Sequence, residues 1–125
     1  VVINPEFHYG LVSLVGIAFF LYHLVKSYMT AHELRGQYPV YFMAKEKIQL
    51  APGMDIDGLL EKFKAHHQGA QINDVDGVKV DFEKTWGHLR KSNTEPIIRV
   101  YTEGPTREEA QALAQETISL VSSWA

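Results

Sequence analysis

The stretch from Arg90 to Arg99 concentrates groups that seek anions. Lys91-Ser92-Asn93-Thr94-Glu95-Pro96 lies between a strand that ends near Arg90 and another that begins at Ile97. A short loop between apolar strands is well fixed by them. Ser92, Asn93 and Thr94 bring side-chain donors, and a tight turn aims successive backbone N–H groups into one concavity that suits an anion. Arg90 adds a planar fork that grips phosphate through two nitrogens. Lys91 adds a mobile positive charge, and Pro96, which has no N–H, stiffens the exit. The same residue types also build ordinary polar hairpin loops. In that plainer reading Arg99 and Glu95 form a surface ion pair worth about 0–1 kcal/mol. Residue types alone leave both readings open.

Other side chains offer less. Asp74 and Asp76 sit two apart, but at a turn, where Asp is a common turn former. His66 and His67 are adjacent, so on a helix their rings face different ways. His88 shares a strand face with Arg90 and reads as a partly exposed sheet histidine; His8 has no assigned role. There is no Asp-x-Asp-x-Asp run and no cysteine, which excludes a disulfide scaffold and a thiolate metal site. No metal ligand is therefore assigned. The formal net charge of -3 gives no support to nucleic acid as a partner. With 46% hydrophobic and 22% charged residues, the composition is that of a folded domain.

The elements that must position the loop follow from periodicity. Val1 to Ile3 reads as a strand end, and Pro5 and Gly10 punctuate the loop after it. Leu11 to Val25 is mostly apolar but shorter than the roughly 20 residues of a membrane span. A helix buried around most of its circumference is expected there, with covering elements upstream of Val1. Without them it should expose apolar surface and self-associate. Thr30 to Tyr38 reads as a second helix, ended by Pro39. The segment from Val40 to Leu50 reads as a strand, and Pro52-Gly53 as a turn. Asp55 is placed to cap a helix with Ile56, Leu59, Leu60 and Phe63 on one face. Ile72–Val75 and Val78–Phe82 flank Asp76-Gly77, a two-residue hairpin signal. Thr85–Arg90 and Ile97–Glu103 supply two more strands. Thr106 with Glu109 forms a capping box for a last helix that buries Ala110, Leu113, Ala114, Thr117, Leu120 and Val121. The expected fold class is α+β: a four-stranded antiparallel sheet with helices on one face, over residues 40–125. A separate helical segment is expected over 1–39, with a boundary near Pro39.

The run Arg90-Lys91-Ser92-Asn93-Thr94-Glu95-Pro96-Ile97-Ile98-Arg99 resembles the signature of the last domain of the α-D-phosphohexomutases. That superfamily includes phosphomannomutase/phosphoglucomutase and phosphoglucosamine mutase. Asp76-Gly77-Val78-Lys79-Val80-Asp81-Phe82 resembles the family's hairpin. Pro5-Glu6-Phe7-His8-Tyr9-Gly10 with Leu14-Val15-Gly16-Ile17-Ala18 resembles the end of its third domain, which implies that 1–39 is the helical remnant of an α/β domain. Leu11-Val12 departs from the polar pair that relatives often carry there. The Asn-containing loop is more typical of the phosphomannomutase and phosphoglucomutase branches.

The resemblance implies a TATA-box-binding-protein-like last domain that clamps the phosphate not being transferred. It implies Arg90, Ser92, Asn93 and Thr94 as phosphate contacts, with Lys91 and Arg99 in support. The parent would be a cytoplasmic isomerase that interconverts hexose 1-phosphate and hexose 6-phosphate through a phosphoserine and a bisphosphorylated sugar. Its serine and its Mg²⁺ would lie outside this chain, which holds no cofactor and would be inactive alone. Implied partners are the hexose phosphate and the parent's N-terminal domains, with neither nucleic acid nor membrane. The alternative is a stand-alone anion- or nucleic-acid-binding α+β module.

Overall fold

The computed structural model of the protein describes residues 13–51 and 53–125. The strand end at Val1–Ile3, the loop to Gly10, His8 and Pro52 lie outside the described residues. The chain divides into two compact units, Val1–Pro39 and Val40–Ala125.

In the first unit, helix α1 spans Ser13–Ser27 and α2 spans Ala31–Gln37. Thr30 starts α2 with a full capping box: its hydroxyl accepts from the Glu33 amide, and Glu33 reaches back to the Thr30 amide. These bonds, with the Thr30 amide first, hold the Glu33 carboxyl below its usual range. The expectation of an α1 buried around most of its circumference is not met within this chain. None of its residues is buried, and Leu14, Ile17, Phe19 and Val25 are exposed. At 1.5 Å per residue α1 is about 22 Å long, short of the ~30 Å hydrocarbon core. Among the described residues no single helix is long and apolar enough to cross a membrane.

The second unit is α+β, as expected, but its antiparallel sheet has five strands rather than four. These are β1 (Phe42–Gln49), β2 (Gln71–Asn73), β3 (Val78–Asp81), β4 (Trp86–Lys91) and β5 (Ile97–Gly104), in the order β1-β5-β4-β3-β2. The additional edge is β1, which pairs with β5 from Phe42↔Gly104 to Gln49↔Ile97. That pairing spans more than half the unit, so no local turn signal announces it.

Helices α3 (Ile56–His66) and α4 (Arg107–Ser122) pack on one sheet face. The core joins Leu59, Leu60 and Phe63 of α3 and Val121 of α4 to Val78, Val80, Leu89, Ile98 and Val100 of the sheet. Burying a side chain such as Phe63 contributes about 1.5–3 kcal/mol. Asp55 caps α3 by accepting from the Gly58 amide at 3.0 Å. Thr106 caps α4 by accepting from the Glu109 amide at 3.1 Å. In α4, Leu113 and Leu120 are only half-buried, where full burial was expected.

The hairpin between β2 and β3 also differs from expectation. Its last register pair is Asn73↔Lys79, so the connection is longer than the two residues Asp76-Gly77. The Asn73 side chain accepts from the Val75 amide, which rounds the chain into a wider turn. Gly77 has φ +78, and a Cβ there would lie 2.1 Å from the Leu89 carbonyl oxygen. The turn thus lies directly on β4, one residue before Arg90.

Candidate functional site: an anion cradle at the end of β4 and β5

Strand alternation decides which side chains reach the site. Along β4, Gly87 and Leu89 face the helices, while Trp86, His88 and Arg90 face the open side. Along β5, Ile98, Val100 and Thr102 point inward and Arg99 outward. Arg90 and Arg99 are register partners, so two guanidinium groups stand side by side on the open face. Like charges opposite one another in a sheet are destabilising. Asp76 offsets part of this repulsion at Arg90, while Arg99 has no ion-pair partner among the described residues.

The loop beyond them is braced at both ends. The Ser92 amide donates to the Ile97 carbonyl at 3.1 Å, and the Leu50 amide donates to the Pro96 carbonyl at 3.1 Å. The Ile97 amide donates to Glu95 at 2.8 Å, which folds Pro96 tightly against the strand. Ser92 is buried, and its Oγ accepts from the Thr94 amide at 3.5 Å, a long contact. Arg90, Ser92, Asn93, Thr94 and Arg99 together line a concavity of about 220 Å³. That is ample for a phosphoryl group, since one water occupies about 30 Å³ in the liquid. Among the described residues Arg99 and the Asn93 and Thr94 side chains have no hydrogen-bond or ion-pair partner, so their donors stay available.

Lys91 goes elsewhere. It is one residue past Arg90, so alternation turns it to the helix side. There its Nζ pairs with Asp57 of α3 at 2.8 Å. It does not line the concavity.

Asp76 has a place that its turn propensity hid. Its Oδ2 lies 2.8 Å from Nη2 of Arg90, and its carbonyl oxygen is 2.6 Å from Nε2 of His88. His88 therefore braces the turn rather than reaching the concavity. Next to it, Asp74 pairs with Lys64 of α3 at 2.6 Å. The Lys64 hydrogen bond, more than its charge, holds the Asp74 carboxyl below the usual carboxylate range, and the lysine is raised in turn.

Charge separates this site from one larger concavity. It has a volume of about 460 Å³ and is lined by Tyr41, Trp86, Asp81, Glu83 and Glu103, with Lys84 among them. Three carboxylates repel an anion. Among the described residues no group of three or more His, Asp or Glu side chains is arranged to hold a metal ion.

Comparison with known proteins shows the family. The family model for the C-terminal domain of phosphoglucomutase/phosphomannomutase matches residues 44–120. A phosphoglucosamine/phosphogalactosamine mutase from Sulfurisphaera tokodaii is 29% identical over 94% of this chain and 26% of its own length. A phosphoglucomutase/phosphomannomutase from Thermococcus kodakarensis is 30% identical over 96% of this chain and 26% of its own. This chain thus spans about a quarter of the relatives it matches. In fold it is similar to a crystal structure of a phosphoglucomutase/phosphomannomutase family protein from Burkholderia thailandensis. The TM-score is 0.50 at 21% identity, covering 72% of this chain and 20% of that one. The chain belongs to the phosphoglucomutase/phosphomannomutase family and carries its C-terminal domain.

Proposed function

We propose that this chain is the phosphate clamp of a phosphohexomutase. The observation that carries the reading is the register pair Arg90–Arg99, set beside a loop whose donors are unengaged among the described residues. Arg90 and Arg99 supply charge; Ser92, Asn93 and Thr94 supply hydrogen bonds. Such a set reads a phosphate and is indifferent to the sugar. That suits an enzyme in which a phosphoserine donates its phosphoryl group to a hexose phosphate. The bisphosphate then turns round, and its other phosphoryl group returns to the serine. The clamp must hold either phosphate, and its binding energy orients the reacting end.

The phosphoserine and the Mg²⁺ of that reaction are assigned to other parts of the enzyme. The relatives carry names from both the phosphoglucomutase/phosphomannomutase and the phosphoglucosamine mutase groups, at similar identity. The hexose is accordingly left to residues outside the clamp. Lys91 serves as a tether of β4 to α3 rather than as a contact.

Isothermal titration of the purified chain with glucose 1-phosphate tests the reading. Arg90→Ala should weaken binding by about 10- to 100-fold, the value of a hydrogen bond to a charged group. Ser92→Ala should weaken it by about tenfold or less. Unchanged affinity in Arg90→Ala, or equal binding of free glucose, would overturn it. The chain alone should show no mutase turnover.

A further inference from the structure

We infer that Asp76 is a positioning residue for the phosphate site, holding the Arg90 guanidinium in place from the neighbouring turn. The inference rests on the phosphate reading of Arg90 and adds a residue that is not part of the loop.

Four contacts converge on this turn. Asp76 Oδ2 meets Arg90 Nη2 at 2.8 Å. The Asp76 carbonyl meets His88 Nε2 at 2.6 Å; in the tautomer with a proton on Nε2, the ring donates to it. Gly77, at φ +78, packs without a side chain against the Leu89 carbonyl. Asp74 is tied to Lys64 of α3. The turn is therefore anchored to β4 at Leu89 and His88, and the exposed Asp74–Lys64 pair adds little to that anchoring. From that base Asp76 reaches Arg90, whose side chain is otherwise half-exposed.

A long exposed arginine samples many rotamers, and a ligand that uses it must order it. Asp76 engages a single nitrogen, and guanidinium has five N–H donors in a rigid fork. The others remain for a ligand. An exposed pair of this kind adds little to stability. Its effect belongs to Arg90's order before binding.

The opposing effect has the opposite sign. Asp76 places a negative charge beside an anion site, so charge alone says that removing it strengthens phosphate binding. Positioning says that removing it weakens binding. The two roles are separable by direction.

The test compares the wild-type chain with Asp76→Ala, Asp76→Asn and Asp74→Ala. Asp74→Ala removes the same charge from the same turn without touching Arg90. Asp76→Asn keeps the side-chain shape if Asp76→Ala disturbs the fold. The first readout is ¹⁵N relaxation of the Arg90 Nε–H, which needs no ligand. Its order should fall in Asp76→Ala and stay unchanged in Asp74→Ala. The second readout is affinity for inorganic phosphate and glucose 1-phosphate. Asp76→Ala should bind about 2- to 12-fold more weakly, the fold-change that ordering one long side chain is worth. In an Arg90→Ala background the same change should bring no further loss.

Unchanged Arg90 order, tighter phosphate binding in Asp76→Ala, or the same loss in the Arg90→Ala background would each overturn the inference. If Arg90→Ala itself leaves affinity unchanged, the phosphate reading fails. The relaxation readout still decides whether Asp76 positions Arg90.

Discussion

Gly77→Ala should be among the most damaging small substitutions in the second unit, and its cost can be assembled from geometry. Two penalties add. The first is conformational: φ +78 places a non-glycine residue in the left-handed region, at about 1–2 kcal/mol. The second is steric. The new methyl would lie 2.1 Å from the Leu89 carbonyl oxygen and 3.1 Å from the Arg90 Cα. Those are backbone atoms of β4, paired on both sides with β3 and β5, and they cannot move cheaply. Inserting a methyl into such a contact costs about 1–3 kcal/mol. The sum, about 2–5 kcal/mol, should lower the melting temperature of a unit this size by about 10–30 °C. Gly53→Ala separates the two penalties, because Gly53 has φ +85 but nothing within 4 Å of where a methyl would stand. It should cost only the conformational part, about 1–2 kcal/mol. Circular-dichroism melts of the two variants and the wild type supply the numbers. If Gly77→Ala melts no lower than Gly53→Ala, the turn does not rest on β4. The account of how Arg90 is placed would then be wrong.

Three further outcomes are expected. Arg99→Gln removes a like charge from the Arg90 register pair, so it should raise stability slightly, by up to about 1 kcal/mol, while weakening phosphate binding; melts and titration should move in opposite directions. Lys91→Ala loses a half-exposed ion pair with Asp57, so it should cost at most about 1 kcal/mol and leave affinity for glucose 1-phosphate within about twofold; a larger loss would make Lys91 a phosphate contact. Asp74 has a depressed carboxyl, so its stabilising pair with Lys64 is fully present above the ordinary carboxylate range and is lost as pH falls through its folded value. Lys64 is raised, so the same pair is also lost when pH rises through the lysine's folded value. Asp74→Asn should therefore flatten the melting temperature against pH at both extremes, and an unchanged profile would refute the pairing.

Much of the second unit was legible because its signals are local. The caps at Asp55 and Thr106, the inward face Leu59-Leu60-Phe63 and the alternation along β4 each follow from neighbours within a few residues. The loop from Ser92 to Thr94 was legible for the same reason, and Arg90 and Arg99 share the concavity with it. What escaped was non-local. The β1–β5 pairing joins distant segments, so nothing near β1 assigns it to the sheet. Asp57 meets Lys91, and Asp76 meets Arg90, only because the sheet and α3 fold together. Asp76 was visible as a turn former, and that local explanation concealed its contact. Alternation also carried information that composition did not: adjacent Arg90 and Lys91 cannot face the same way, which sends Lys91 to α3.

Arg90, Ser92, Asn93, Thr94 and Arg99 stand together as the proposed phosphate clamp. The most direct test is an NMR titration of the ¹⁵N-labelled chain with glucose 1-phosphate, beside an equal titration with free glucose. The account predicts shifts in the amides from Arg90 to Thr94, and in Arg99 Nε–H, with the phosphate ester and none with the sugar. Equal shifts with both ligands, or shifts confined to the Trp86–Glu103 concavity, would contradict it.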